Sequence, residues 1–141
     1  MPTKLETRGR HEKIMKGIEF AFLALGAVAG AFVRHKIAES PLILGTLPLN
    51  ILIINIVGSF VLGVFSVLAL LWHLDARYSL FLAVGFCGSL TTMSSFALET
   101  TGMIENRQFA NVAINIIANV GLSIGAIVGG RSLASAIIRD I

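Results

Sequence analysis

The chain is poor in charge, nearly free of cysteine, and without any constellation that suggests catalysis. Only 13% of its 141 residues are charged while 55% are hydrophobic, and mean hydropathy is +0.85. Soluble domains carry about 25% charged residues, so this deficit argues for a membrane protein rather than for a large core. Cys87 is the single cysteine, which excludes an intramolecular disulfide and a cysteine metal cluster; inside an apolar run it reads as a small buried hydrophobe. His11, His35 and His73 have no ligand spacing with one another, and no acid completes a metal set. There is no nucleophile–base pair, phosphate loop or dinucleotide fingerprint, so no enzyme activity is expected. The net charge of +3 gathers mostly in the first sixteen residues, which suits a tail at a membrane surface and offers no nucleic-acid face.

What is present is apolar sequence in span-sized pieces. A basic tail, residues 1–17, carries Lys4, Arg8, Arg10, Lys13 and Lys16 against Glu6 and Glu12, and is expected to be disordered or a frayed interfacial helix. Basic residues before an apolar run have the outline of a signal peptide, but no small-residue cleavage site precedes a soluble domain, so the run reads as a retained span. About 20 residues cross the hydrocarbon. The chain then divides into span one at about 18–36, span two at 49–72, span three at 78–103, span four at 109–130, and a short amphipathic tail at 131–141. Pro48 suits an early helical turn, and Trp72 with His73 marks an interface. Gly26 and Gly30 stand four residues apart among Ala27, Ala29 and Ala31, a face that lets helices approach closely. The expectation is an all-α integral membrane protein of one domain, with four transmembrane helices and both termini on one side.

The third span departs from the pattern. Gly85-Phe86-Cys87-Gly88-Ser89-Leu90-Thr91-Thr92-Met93-Ser94-Ser95-Phe96-Ala97-Leu98-Glu99 turns to glycine, serine and threonine where the middle of the bilayer should be. Irregular backbone survives in hydrocarbon only if buried in protein or lining a wet cavity, so a break over 88–95 is expected. Breaks of this kind are where transporters and channels place ion sites. On span four, Asn111, Asn115, Asn119 and Ser123 recur every four residues and form one stripe, either as interhelical glue or as a polar track for an ion. Asn55 lies inside span two, where an amide either bonds a neighbouring helix or offers N–H donors to an anion. Phe96 packs in a core or turns its positive ring edge to an anion. Arg34 is a snorkelling anchor or a lure for anions at a vestibule. Glu99 is solvated at a helix end or pairs with Arg34.

These residues resemble the Fluc (CrcB) fluoride-channel family. Gly26-Ala27-Val28-Ala29-Gly30-Ala31-Phe32-Val33-Arg34, then Asn55-Ile56-Val57-Gly58-Ser59-Phe60-Val61-Leu62-Gly63, then the stretch from Gly85 to Glu99 follow that family's motifs in order, from about Ile18 to Gly130. The resemblance implies four-span subunits paired antiparallel, in dual-topology fashion, with narrow fluoride pores along the dimer interface and passive export of fluoride. By position it makes Asn55 the pore amide and Phe96 the second of two pore-lining phenylalanines. The flanking Met93, Ser94 and Ser95, the stripe residues Asn115, Asn119 and Ser123, and Arg34 and Glu99 complete the expected ion pathway. Gly88 and Thr91 match the residues whose backbone carbonyls hold a structural Na⁺ where two third spans cross. Two positions depart: Met93 stands where the first pore phenylalanine usually is, and Ile51 where a threonine usually precedes Asn55 by a turn.

Charge bias bears on the pairing. Lys4, Arg8, Arg10, Lys13, Lys16, Arg77, Arg131 and Arg139 fall on the side of the termini, against Arg34, Lys36 and Arg107 on the other, eight against three. The positive-inside rule puts both termini in the cytoplasm of an inner cell membrane. A subunit inserting both ways should be nearly balanced, so a homodimer and a heterodimer with a second family subunit, this chain carrying one degraded pore, are both expected arrangements. The rivals are a small multidrug-type transporter, which needs a carboxylate mid-way along span one where this chain has only Gly and Ala, and a non-conducting membrane scaffold.

Overall fold

The first apolar run and the basic residues ahead of it form a single helix, α1 (Lys4–Ala38). This is seen in a computed structural model that describes residues 4–40, 42–44 and 47–139, with side chains from Met15 onward. The side chains of Lys4, Arg8, Arg10 and Lys13, and all of Met1–Thr3, Asp140 and Ile141, lie outside the described residues, so the tail expectations there have no counterpart. A two-residue hairpin, β1 (Ile43–Leu44) with β2 (Leu47–Pro48), leads into α2 (Asn50–Leu71). A short α3 (Ala76–Ser79), a π-helical stretch (Leu80–Cys87), α4 (Gly88–Leu90) and α5 (Met93–Glu105) follow in line, and α6 (Phe109–Arg139) closes the chain. Four stretches are long and apolar enough to cross a membrane, at Met15–Ala38, Asn50–Leu71, Ala76–Glu105 and Phe109–Arg139. Exposed Phe20, Leu25, Val28, Ile117 and Ile124 are what helices solvated by lipid present outward.

Two pairs of parallel helices make the bundle, and glycine sets both distances. A Cβ on Gly26 or Gly30 would collide with the backbone carbonyl of Phe81 or Phe86, and one on Gly85 would lie 2.7 Å from the Leu23 carbonyl. The backbones of α1 and the π-helical stretch therefore touch, as a small-residue face allows. On the other side Gly63 meets the Ile127 carbonyl, and a Cβ on Gly130 would stand 2.5 Å from the Phe60 carbonyl, so α2 and α6 are equally close. The apolar core lies between the pairs: Ile51, Ile54, Leu90 and Phe96 are buried together, with Val33, Ile37 and Phe86 packed against them.

The connections are satisfied locally. Both α2 and α5 end with a residue in the left-handed region, His73 (φ 48°) and Arg107 (φ 57°). The next N–H returns to the helix, Leu74 to the Ala69 carbonyl at 3.1 Å and Gln108 to the Met103 carbonyl at 2.9 Å, which is the Schellman closure of a helix end. Asp75 accepts the Arg77 backbone N–H and pairs with its guanidinium at 2.8 Å, and these bonds hold its carboxyl down at about 2. Asn50 closes α1: its amide donates to the carbonyls of Ile37 (3.1 Å), Ala38 (2.9 Å) and Ser40. Such carbonyls at a helix end lack part of their helical bonding; Ile37 and Ser40 also accept the N–H groups of Ser40 (3.1 Å) and Leu42 (2.9 Å). Asn50→Leu is expected to lower stability by about 1–2 kcal/mol, read as a fall in the melting temperature of the detergent-solubilised protein. An unchanged melting temperature would mean that water replaces the amide at no cost.

Candidate functional site

Where α4 ends, two residues run extended before α5 begins: Thr91 (φ −72°, ψ 150°) and Thr92 (φ −149°, ψ 113°). The sequence makes this stop tolerable by replacing the lost bonds. Thr91 Oγ1 donates back to the Cys87 carbonyl at 2.9 Å, and Thr92 Oγ1 caps α5 by accepting the Ser95 N–H at 3.2 Å. Ser94 and Ser95 place their hydroxyls 3.2 and 3.1 Å from Thr92 Oγ1. In a continuous helix the Thr92 N–H would bond the Gly88 carbonyl; here it donates to Asn55 Oδ1 at 2.9 Å. The Gly88 carbonyl is thereby released from the helix.

From Asn55 a single line of hydrogen bonds runs through the bundle. Asn55 Nδ2 donates to Asn119 Oδ1 (3.0 Å), Asn119 Nδ2 to Asn115 Oδ1 (2.8 Å), Asn115 Nδ2 to Thr100 Oγ1 (3.1 Å), and Thr100 Oγ1 to the Phe96 carbonyl (2.7 Å). Asn115 and Asn119 are 2% and 4% exposed, so they are buried polar groups that depend on one another. Asn111 continues the stripe to Gln108 Oε1 at 3.1 Å, near the start of α6.

Beside this ladder lies an open cleft of about 390 Å³ between α2, α4, α5 and α6. Asn55, Asn119 and Ser123 supply polar walls, Phe96 and Met93 apolar ones, and Gly88 with Thr91 the rim. The Ser123 hydroxyl is buried yet has no hydrogen-bond partner. A buried orphan donor beside a cavity is a place for a solute to complete the bonding. Phe96 is 7% exposed, whereas Met93 is 73% exposed. Seven of the residues singled out in the sequence therefore meet at one cleft, and Asn115 stands one bond behind it.

Four do not join them: Ser94 and Ser95 bond Thr92 Oγ1 without lining the cleft, and Arg34 and Glu99 stand apart. Arg34 is half-buried near the end of α1, and among the described residues no ion pair links it to Glu99. Glu99 is half-buried on α5, with Oε2 unpartnered. Sequence reading passed over Thr92 and Thr100 as site residues. A hydroxyl eight positions from another carries no periodic signal of its own, and only the Asn55 and Asn115 partners, 37 and 15 residues away, give them roles. Among the described residues no group of three or more His, Cys, Asp or Glu could hold a metal ion.

Residues 21–131 match the family described as CrcB-like protein, Camphor Resistance (CrcB). The chain belongs to the CrcB family. A "Fluoride-specific ion channel FluC" of Nitrosopumilus maritimus is 66% identical over 126 residues, covering 89% of this chain and 100% of the relative. Proteins of the same name from Sulfurihydrogenibium (40% identical, 82% of this chain and 96% of the relative) and Methanococcus vannielii (33%, 83% and 96%) are similar over nearly the same extent. The matched CrcB region reaches into all four apolar helices and contains every residue that lines the cleft. By name these relatives are ion channels and not enzymes, in line with the absence of catalytic motifs.

Proposed function

We propose that this chain is a subunit of a passive, fluoride-selective export channel, with the anion path running along the cleft at Asn55, Phe96, Asn119 and Ser123. The observation that carries it is the unpartnered hydroxyl of Ser123, a residue lining a cleft whose polar walls also include the mutually bonded amides of Asn55 and Asn119. Fluoride is small and tightly hydrated, so a path for it must replace lost water with N–H and O–H donors and with the positive edges of rings. Side-chain amides supply such donors, and Phe96 supplies an edge. No cationic side chain lines the cleft, so an anion is not trapped there, which suits conduction: binding must be weak enough to release. Arg34, near the end of α1, raises the local concentration of anions at one mouth. Glu99 stands in the same helix as Phe96, one turn beyond it.

The cleft is open along one side of a single subunit, so a second subunit is required to close the path. We place a dimer there, antiparallel, with the third spans crossing at Gly88 and Thr91. Those two residues fit a structural Na⁺, because the Gly88 carbonyl is released by the Asn55–Thr92 bond and the Thr91 residue is extended. Carbonyl oxygens suit a hard cation, and they offset its desolvation. Such an ion supplies fixed positive charge close to an anion path. The eight-to-three charge bias and the exposed methionine at position 93 favour a partner that is a different subunit of the family, with both termini of this chain cytoplasmic in the inner cell membrane.

Fluoride efflux from liposomes containing the full chain, with chloride as the control ion and Phe96→Ile beside it, tests this reading. Rapid fluoride efflux without chloride efflux, lost in Phe96→Ile, is the expected result for a self-paired channel. Silence from the chain alone, followed by efflux once a second family subunit is co-reconstituted, assigns the heteromer. Equal fluoride and chloride fluxes overturn fluoride selectivity.

A further inference from the structure

α6 runs past the end of α2, and a second cleft with polar groups lies at that end. At 1.5 Å per residue its 31 residues span about 46 Å, against about 33 Å for the 22 residues of α2 that runs parallel to it. The Gly63–Ile127 contact leaves eight residues of α2 and twelve of α6 beyond it, so α6 overruns the end of α2 by about one turn. Around that end Arg131, Ser135 and Arg139 stand four residues apart and share a face, with Ser132 beside them. These four line a cleft of about 610 Å³ whose apolar wall includes Leu71 and Ile138.

We propose that this cleft is a binding site for the phosphate headgroup of an anionic phospholipid in the leaflet on the side of the termini. Its chemistry fits that ligand at each point. Two guanidiniums provide fork-shaped donors suited to phosphate oxygens, and two hydroxyls add further donors. Among the described residues no carboxylate lines the cleft and neither arginine is in an ion pair. Leu71 and Ile138 offer apolar surface where acyl chains begin. Basic pockets at the cytoplasmic ends of membrane helices hold anionic headgroups for these reasons. The site lies at the opposite end of α6 from Asn111 and is independent of the anion path. Its occupant would tie the end of α6 to that of α2 and so hold closed the contacts of Gly63 with Ile127 and of Gly130 with Phe60.

Trp72, the single tryptophan, is 62% exposed and adjoins Leu71 in sequence, so it reports on this spot. The full-length protein is reconstituted in phosphatidylcholine vesicles containing a small fraction of dibrominated phosphatidylglycerol, or the same fraction of dibrominated phosphatidylcholine. Quenching of Trp72 several-fold stronger from the brominated anionic lipid is expected. That excess should vanish in the R131Q/R139Q double variant and persist in Lys36→Gln, which lies on the opposite side. Quenching by brominated phosphatidylcholine, unchanged in the double variant, shows that the variant is still folded and inserted. Equal quenching by the two lipids in the unsubstituted protein overturns the site, as does an excess that survives the double substitution. Loss of the excess on adding millimolar inorganic phosphate at constant ionic strength assigns a soluble anion instead and also overturns the lipid site.

Discussion

Gly30→Leu is expected to leave almost no folded protein in the membrane. The first atom of any side chain at this position would be driven into the Phe86 carbonyl, which belongs to a backbone already committed to the π-helical stretch. Ordinary overpacking costs about 1–3 kcal/mol because neighbouring side chains can move aside; a carbonyl within a helix cannot rotate away, so the cost here exceeds that range. The separation is also propagated. Phe86 packs against the core of Ile51, Ile54, Leu90 and Phe96, so pushing the π-helical stretch away from α1 opens the wall that positions Phe96. The measurement is the yield of monodisperse protein in mild detergent, with Gly17→Leu as the comparison, because a Cβ at Gly17 meets nothing within 4 Å. Near-normal yield of a folded Gly30→Leu protein would show that the helices can part at little cost.

That contact was legible in the amino-acid sequence, because Gly26 and Gly30 at four-residue spacing have an obvious meaning inside an apolar run. So were the four spans, since hydropathy is a property of composition and needs no knowledge of the fold. The polar stripe of α6 was also visible as a periodicity, and its members Asn115 and Asn119 prove to be buried and mutually bonded. What local pattern cannot carry is which distant partner a polar group chooses. Thr92 and Thr100 gain their roles from Asn55 and Asn115, on other helices. Asn50 looks like an unremarkable first residue of a helix, yet it closes the end of α1 through three carbonyls. The π-helical stretch over Leu80–Cys87 has no signature either; it runs where the backbone of α1 comes closest, at Gly26, Gly30 and Gly85. The continuation of α6 to Arg139 was hidden by Arg131, which reads as the end of a span, whereas the helix runs on through it.

The stripe poses the choice between glue and track, and substitution of Asn119 separates them. Asn119 accepts from Asn55 and donates to Asn115, so Asn119→Leu strands both neighbours in a buried setting. Two such losses amount to about 2–4 kcal/mol. If that energy is needed to stabilise an anion at the cleft, fluoride efflux falls roughly a hundredfold, since each 1.4 kcal/mol is a factor of ten. Asn119→Asp keeps the size and shape of the side chain and its acceptor towards Asn55, but it replaces the two N–H donors with an oxygen that repels both Asn115 Oδ1 and a passing anion. A path for fluoride predicts that the aspartate variant is as inactive as the leucine one even where it folds well. Glue alone predicts that flux per folded protein stays normal in both, with only the melting temperature reduced. Measuring efflux and melting temperature on the same reconstituted samples distinguishes the two. Normal flux from a well-folded Asn119→Asp protein would remove Asn119 from the anion path and leave the ladder as a device that holds α2, α5 and α6 in register.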